Sequence, residues 1–407
     1  MNMPVEGGPL PGYPDVPYAQ SCSMDRCMAR AKEMMDWDSK YPCRDMGNGK
    51  VRGVGVAMAM QGSSIAGVDV GGADIKLNED GSYTLALGCT DMGTGCDTVM
   101  AQIAADCLNT PMDNIVVFSV DTDISPYDSG SYASATTYTT GVAVMKACEE
   151  LKKKFCKLGA EMMEVDERKV DFDGSCVFYD ETLEISDGAD GNAAGHMTDA
   201  EEGYSVDMDA ISSENAQKKV SLEDIALKST FFNNIELQVV KQHSSPISPP
   251  PFMVGMAEVE VDTETGSVDV LDYVAVVDCG TPINPNLARV QTEGGIAQGI
   301  GMALWEDVQY TDKGKIRNNS FMQYKIPTRQ DIGNIRVDFE CSYEKSGPFG
   351  AKSIGELVID TPCPALAEAI YNATGVRLTE LPMTPEKIAM EILKNRESIR
   401  SGTKVEE

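Results

Sequence analysis

The chain has 407 residues, 42% of them hydrophobic and 24% charged, which is enough for more than one lobe around a sizeable core. A formal net charge of -30 argues against nucleic acid and anionic membrane surfaces as partners. No stretch approaches the ~20 apolar residues of a membrane span, and Met1–Gln20 has neither a basic segment nor an apolar core, so no signal peptide is expected and the cytoplasm is the default location. Two histidines, His196 and His243, and twelve cysteines without a CxxC pair leave little basis for a histidine metal site, a Ser-His-Asp triad or an iron–sulfur cluster on this chain.

Residues 1–50 read as a lead-in. Gly7, Gly8, Pro9, Pro11, Gly12, Pro14 and Pro17 keep its start extended. Met28, Ala31, Met34 and Met35 then fall at helical spacing within Ser23–Trp37, and Cys43–Lys50 reads as a polar connector. A first lobe is expected over 51–180. Val51–Met60 is a near-continuous apolar strand. Ala73–Leu77 and Ser82–Leu87 flank the turn Asn78-Glu-Asp-Gly81 as a hairpin. The hairpin runs into Gly88-Cys-Thr-Asp-Met-Gly-Thr-Gly-Cys-Asp97 and a helix over Thr98–Leu108, with Asp97 or Thr98 as its expected cap. A Gly-rich loop feeding a helix N-terminus aims backbone N–H groups at whatever lies in front of it and favours an anion. Ile115–Val120 is a strand, Ser129–Thr140 is dense in small and hydroxyl residues, and a helix is expected over Gly141–Met163.

Residues 181–217 form an acidic insertion, and Glu181–Ala216 contains no Lys or Arg. The second lobe spans 218–407. A short helix over Val220–Leu227 has Ser221 as its N-cap, and Ser244–Pro251 is Pro-rich. A second hairpin, Met256–Asp262 and Ser267–Val277, leads through Asp278-Cys-Gly-Thr-Pro-Ile-Asn-Pro285 into a helix carrying Gly294-Gly-Ile-Ala-Gln-Gly-Ile-Gly301. Glycine costs a helix interior roughly 1 kcal/mol relative to alanine, so tight packing is expected there, with Gln298 as a polar contact. The plan of hairpin, Gly loop and helix thus occurs twice, as a weak internal duplication. Ile335–Tyr343 is a strand ahead of Gly347-Pro-Phe-Gly-Ala-Lys-Ser-Ile-Gly-Glu356, a glycine-rich loop ending in one carboxylate. Such a glutamate is a candidate base or ligand, although a solvent-facing Glu at a loop end is commoner. Helices over Pro362–Ala373, stopped by Gly375, and from Thr384-Pro385 to Lys394 close the chain. The fold class is α+β: two lobes of mixed sheets with packed helices, built from repeated hairpin–Gly loop–helix units.

Four of these segments occur in one order in a known family: Gly88–Gly95, Asp121-Thr-Asp with Tyr132–Thr137, Glu293–Gly301 and Gly347–Glu356. Together they resemble the molybdopterin-binding subunit of xanthine dehydrogenase-type molybdenum hydroxylases, in its C-terminal half, from about Pro9 to Ile392 with the acidic insertion excepted. The resemblance implies a hydroxylase in which a molybdenum-bound hydroxide attacks an electron-poor C–H carbon of a purine such as xanthine or a related N-heterocycle, or of an aldehyde. It implies Glu356 as the catalytic base. It also implies that the pterin is held by Met92, Gly93 and Thr94, by Ala133, Ser134 and Thr136, and by Gln298. No side chain would ligate the metal, which the pterin dithiolene holds. Thr94 stands where the family often has glutamine, and its shorter hydroxyl makes that contact differently. The cofactor would be molybdenum-molybdopterin, with the cytosine dinucleotide form open. The implied partners are the N-terminal half of the molybdenum subunit, an iron–sulfur [2Fe-2S] subunit and an FAD subunit. A truncated, cofactor-free and non-catalytic half-subunit is the alternative.

Overall fold

A computed structural model describes residues 5–8, 19–119, 121–183, 218–233 and 235–401. The acidic insertion expected over 181–217 lies outside the described residues from 184 onward.

Helix α1 (Met24–Met35) buries Met24, Cys27, Ala31 and Met35, a stripe at spacings of three and four, and is followed by one further turn, α2 (Trp37–Lys40). The segment expected as a polar connector, Cys43–Lys50, is instead mostly a strand. Strand β1 (Cys43–Gly47) pairs antiparallel with β2 (Lys50–Met60). Asn48 and Gly49 join them, both at positive φ, as a two-residue hairpin turn requires. The segment looks polar because β1 lies at a sheet edge and is largely exposed. The first hairpin is as expected, β3 (Gly71–Leu77) with β4 (Tyr83–Leu87). Helix α3 (Cys96–Leu108) and strand β5 (Ile115–Phe118) follow. Helix α4 (Thr136–Met163) starts five residues before the expected Gly141. Its added turn buries Tyr138, Thr139 and Thr140, so packing overrides the weak helix propensity of threonine.

Strands β6 (Val170–Phe172), β7 (Cys176–Tyr179) and β8 (Lys219–Ser221) make a small antiparallel sheet, each too short to show a readable alternation. Helix α5 (Leu222–Leu227) is capped by Ser221, whose Oγ accepts from Asp224 N at 3.1 Å. Strand β9 (Gln238–His243) precedes the second hairpin, β10 (Phe252–Asp262) and β11 (Val268–Asp278). Then come α6 (Pro285–Leu304), β12 (Asn334–Phe339), α7 (Pro362–Thr374), ended by Gly375 at φ 71°, and α8 (Pro385–Ser401).

The two large sheets repeat one plan. Their orders are β5-β4-β3-β9 and β1-β2-β10-β11-β12. In each, an antiparallel hairpin is followed by a helix and a third strand parallel to the hairpin's second: β3–β4–α3–β5 and β10–β11–α6–β12. Each unit is preceded by a lead strand, and the lead strands are exchanged. Strand β2 pairs with β10, and β9 pairs with β3. The lobes therefore interleave and do not coincide with segments 51–180 and 218–407.

The first core lies between β3–β4 and helices α3 and α4, and includes Tyr83, Phe155 and Phe172 with ring centroids 6.4 and 5.5 Å apart. The second lies between β10–β11 and helices α6 and α7, with α1 covering the opposite face. Two glycines of α6 face this packing. A Cβ on Gly295 would lie 2.3 Å from Val358 Cγ2, and one on Gly299 2.7 Å from Pro362 Cγ.

His243, on β9, accepts from Lys146 Nζ of α4 at 2.8 Å. Burial, and then the Lys146 charge, push its pKa down to about 4. The unfolded chain binds this proton at higher pH than the native chain, so stability falls as pH drops from about 6.5 to about 4. His243→Gln is expected to flatten the fall of Tm in that window, as thermal scans at stepped pH would show.

Candidate functional site

A cavity of about 240 Å³ opens where the two units meet. Thr94 and Cys96 come from the first Gly loop and the start of α3, and Ser131, Ser134, Thr136 and Thr137 from the approach to α4. Thr281–Asn284, Leu287 and Gln291 come from the entrance and first turns of α6, and Ala351–Lys352 with Ile354–Glu356 from the final Gly loop. Three helices thus present their N-terminal ends to one space. Neither Asp97 nor Thr98 caps α3. The cap position is Gly95 at φ 79°, without a side-chain bond, and α4 likewise has no side-chain cap. Their first-turn N–H groups remain available to an anion. Helix α6 is closed by Asn284, whose Oδ1 accepts from Leu287 N at 3.1 Å and whose Nδ2 donates to Gln102 Oε1 at 3.1 Å, tying α6 to α3.

Each wall is held by named bonds. Asp91 Oδ1 accepts from Gly93 N at 2.8 Å and Gly95 N at 3.1 Å, shaping the first Gly loop. Ligand atoms of Asp91, Cys96 and Asp97 lie within 4.8 Å of one another. Asp91 is engaged by this turn and Asp97 accepts from Ser119 Oγ at 3.2 Å, so the group serves the loop. Ala133 and Ser134 are consecutive non-glycine residues at φ 50° and 54°, a conformation that costs of order 1–3 kcal/mol each. Bonds to other segments hold them there. Ser64 N donates to the Ala133 carbonyl at 3.0 Å, and Ser134 Oγ accepts from Glu356 N at 2.9 Å.

Glu356 sits at the edge of the cavity. Its Oε2 accepts from Gln61 Nε2 at 2.5 Å and from Ser134 Oγ at 3.2 Å. Both bonds use Oε2, so Oε1 keeps its accepting capacity. Burial, and then the Glu356 charge, raise the carboxyl pKa of Asp360 one turn later.

The cavity brings together Met92, Thr94, Ser134, Thr136 and Glu356 of the residues singled out from sequence. Gly93 and Ala133 stand beside it in the same loops. Gln298 lies outside the lining and is exposed. It shares a helical stripe with Gln291 but is about 10 Å further along the axis. Gln291 is the glutamine at the cavity, donating to the Gly355 carbonyl at 2.9 Å. Gln291 and Gln61 had escaped sequence reasoning. For Gln291 the signal was Asn284-Pro285, which fixes the helix start and places position 291 on the second turn.

Around this half-open, largely apolar cavity the donors are the uncapped ends of α3 and α4, the hydroxyls of Thr94, Ser131 and Thr137, and the Gln291 amide, while Ser134 and Thr136 donate to Glu356 and Ser131. That donor set fits a phosphorylated pterin. The sequence pattern of the molybdopterin cofactor-binding domain matches residues 30–333, and the chain belongs to that family. It is 33% identical over 380 residues to the probable hypoxanthine oxidase XdhD of Escherichia coli K12, covering 92% of this chain and 35% of that protein. It is 28% identical over 375 residues to the putative xanthine dehydrogenase molybdenum-binding subunit XdhA of the same organism, covering 90% and 46%. The fold is that of quinoline 2-oxidoreductase from Pseudomonas putida 86, with a TM-score of 0.77 at 23% identity, covering 92% of this chain and 46% of that one. The chain therefore spans less than half the length of these relatives. Among the described residues, no helix is long and apolar enough to cross a membrane.

Proposed function

We propose that this chain is the molybdopterin-binding catalytic component of a cytoplasmic, multi-subunit hydroxylase. It oxidises an electron-poor C–H of a purine such as xanthine, or of a related N-heterocycle, with water as the oxygen source. The observation that carries this reading is Glu356, held at the cavity edge through Oε2 by Gln61 and Ser134 with Oε1 spare. Relatives named as a hypoxanthine oxidase, a xanthine dehydrogenase subunit and a nicotine 6-hydroxylase subunit support an N-heterocyclic substrate. A fold shared with an aldehyde oxidoreductase keeps an aldehyde as the second reading.

Molybdenum on its pterin, when bound, supplies the oxygen-transfer and two-electron redox chemistry. The N–H groups at the starts of α3 and α4, with Thr94, Ser131 and Thr136, bind the pterin and its phosphate or cytosine dinucleotide. Gln291 fixes the Gly355 carbonyl and so the backbone just before Glu356. Glu356 Oε1 takes the proton released as water's oxygen passes to substrate, while Ser134 and Gln61 keep the carboxylate from swinging away. Hydroxylation releases two electrons and two protons per water consumed. FAD and [2Fe-2S] partner subunits carry the electrons away, and a polypeptide equivalent to the remaining half of the longer relatives completes the substrate pocket.

Elemental analysis of protein isolated from its native cells with all companions retained tests this reading. About one molybdenum per chain, with co-purifying subunits, is the expected result. Absence of both would leave a cofactor-free half-subunit and remove the catalytic role of Glu356.

A further inference from the structure

Behind the Glu356 loop lies a buried charge that the chemistry above does not use. Lys352 stands four residues before Glu356. Its side chain and that of Asp278 have no exposed surface, and Nζ lies 3.1 Å from Oδ1. Charges this deep persist only when their remaining hydrogen bonds are met. Lys352 Nζ donates to Ser342 Oγ at 3.1 Å and to the Ser21 carbonyl at 3.3 Å, and lies 5.0 Å from the ring centroid of Phe252. Asp278 accepts from Ser342 Oγ at 2.8 and 2.9 Å, from Ser23 N at 2.9 Å and from Gly280 N at 3.0 Å. A second buried carboxylate, Glu344, accepts from Ser21 Oγ at 2.7 Å and Ser346 Oγ at 2.6 Å.

The pair sits between two walls of the cavity. Gly280 and Ala351 form a β-bridge, Lys352 N donates to the Cys279 carbonyl at 2.8 Å, and Thr281 N donates to the Gly350 carbonyl at 2.9 Å. One wall is the entrance loop of α6, and the other is the loop that ends in Glu356. The ion pair cross-links them directly behind the cavity.

We propose that Lys352, paired with Asp278, is a positioning residue: it sets the separation between the entrance loop of α6 and the Glu356 loop, and so aims the glutamate into the cavity. The inference rests on the reading of Glu356 as the base. A pair present for stability alone would be replaceable by apolar residues of similar volume, often without loss. Apolar residues cannot reproduce directional bonds to Ser21, Ser23 and Ser342, and this difference supplies the test.

Lys352→Met and the double variant Lys352→Met with Asp278→Leu are prepared in the full chain with its co-purifying subunits. Backbone amide exchange, molybdenum per chain, and kcat and KM separately are then measured. Exchange across 278–283 and 350–357 is expected to rise at least about tenfold in both variants, while the β3–β4 hairpin stays as in the parent. Molybdenum should remain within about twofold, kcat should fall on the order of a hundredfold, and KM should move far less, the signature of a misplaced group rather than a lost binding contact. Parental exchange or parental kcat in either variant overturns the inference. If Lys352→Met does not fold, the double variant decides. Restored turnover in it, or its failure to fold, makes the pair a structural element only. A parent protein without molybdenum or turnover would instead defeat the functional reading, and the exchange data would still decide whether the pair clamps the two loops.

Discussion

Glu356→Gln is expected to lower kcat of the assembled enzyme by about a thousandfold or more, within the range for loss of a general base, while molybdenum per chain stays within about twofold. Glutamine is nearly the same shape and still offers an oxygen to Gln61 and Ser134, the two groups that hold Glu356 in place. It cannot take up a proton at the free position. The loss should therefore appear in kcat, with cofactor content and melting temperature close to the parent. Steady-state kinetics beside elemental analysis on one preparation would check both halves of this expectation. Turnover near the parental rate would remove Glu356 as the base and leave it as a wall residue.

Gly55→Val is expected to damage the second core severely. Gly55 lies on β2 under α7, and an added Cβ would fall 2.2 Å from the Ala365 carbonyl oxygen and 2.4 Å from Ala369 N. Those are backbone atoms of a helix, so no rotamer change relieves the clash, and α7 must lift off the sheet. A loss of about 3 kcal/mol or more is expected, read as a fall in the denaturant midpoint or as insoluble protein. Gly294→Ala is the internal control. Nothing lies within 4 Å of the added Cβ in α6, so the change should stabilise the helix by up to about 1 kcal/mol. If the two substitutions behaved alike, the close packing of α7 on β2 would be in error.

Much of this architecture could be read from local pattern. Both hairpins carry alternation and polar turns, α7 begins with Pro362 and stops at Gly375, and Ser221 caps α5. Strand β1 was also legible in principle, since Asn48-Gly49 is a strong hairpin signal, but its exposed side chains read as a connector. The start of α4 was masked by a run of threonines that disfavour helix on propensity and are recruited by burial. The site divides in the same way. Met92, Thr94, Ser134 and Glu356, and Thr136 at the start of α4, belong to segments whose glycines and hydroxyls drew attention. Gln61 is 295 residues from Glu356, and Gln291 is 64 residues from Gly355. No periodicity reports contacts at such separations. Nor did composition disclose that Lys352, in a loop of small residues, would be buried against Asp278.

The exchange of lead strands bears on how the chain comes apart. Strand β2 belongs by sequence to the first unit and by hydrogen bonding to the second, and β9 is placed the opposite way. A cut in the acidic segment would leave the C-terminal fragment without β1 and β2 and the N-terminal fragment without β9, each fragment carrying strands that pair only in the other's sheet. The fragments should therefore recombine with each other in preference to folding alone. The intact chain should melt in one cooperative transition, because neither sheet can open without stripping an edge from its neighbour. Two tandem copies of one unit, each lending a strand to the other, have the logic of a swapped dimer written into a single polypeptide.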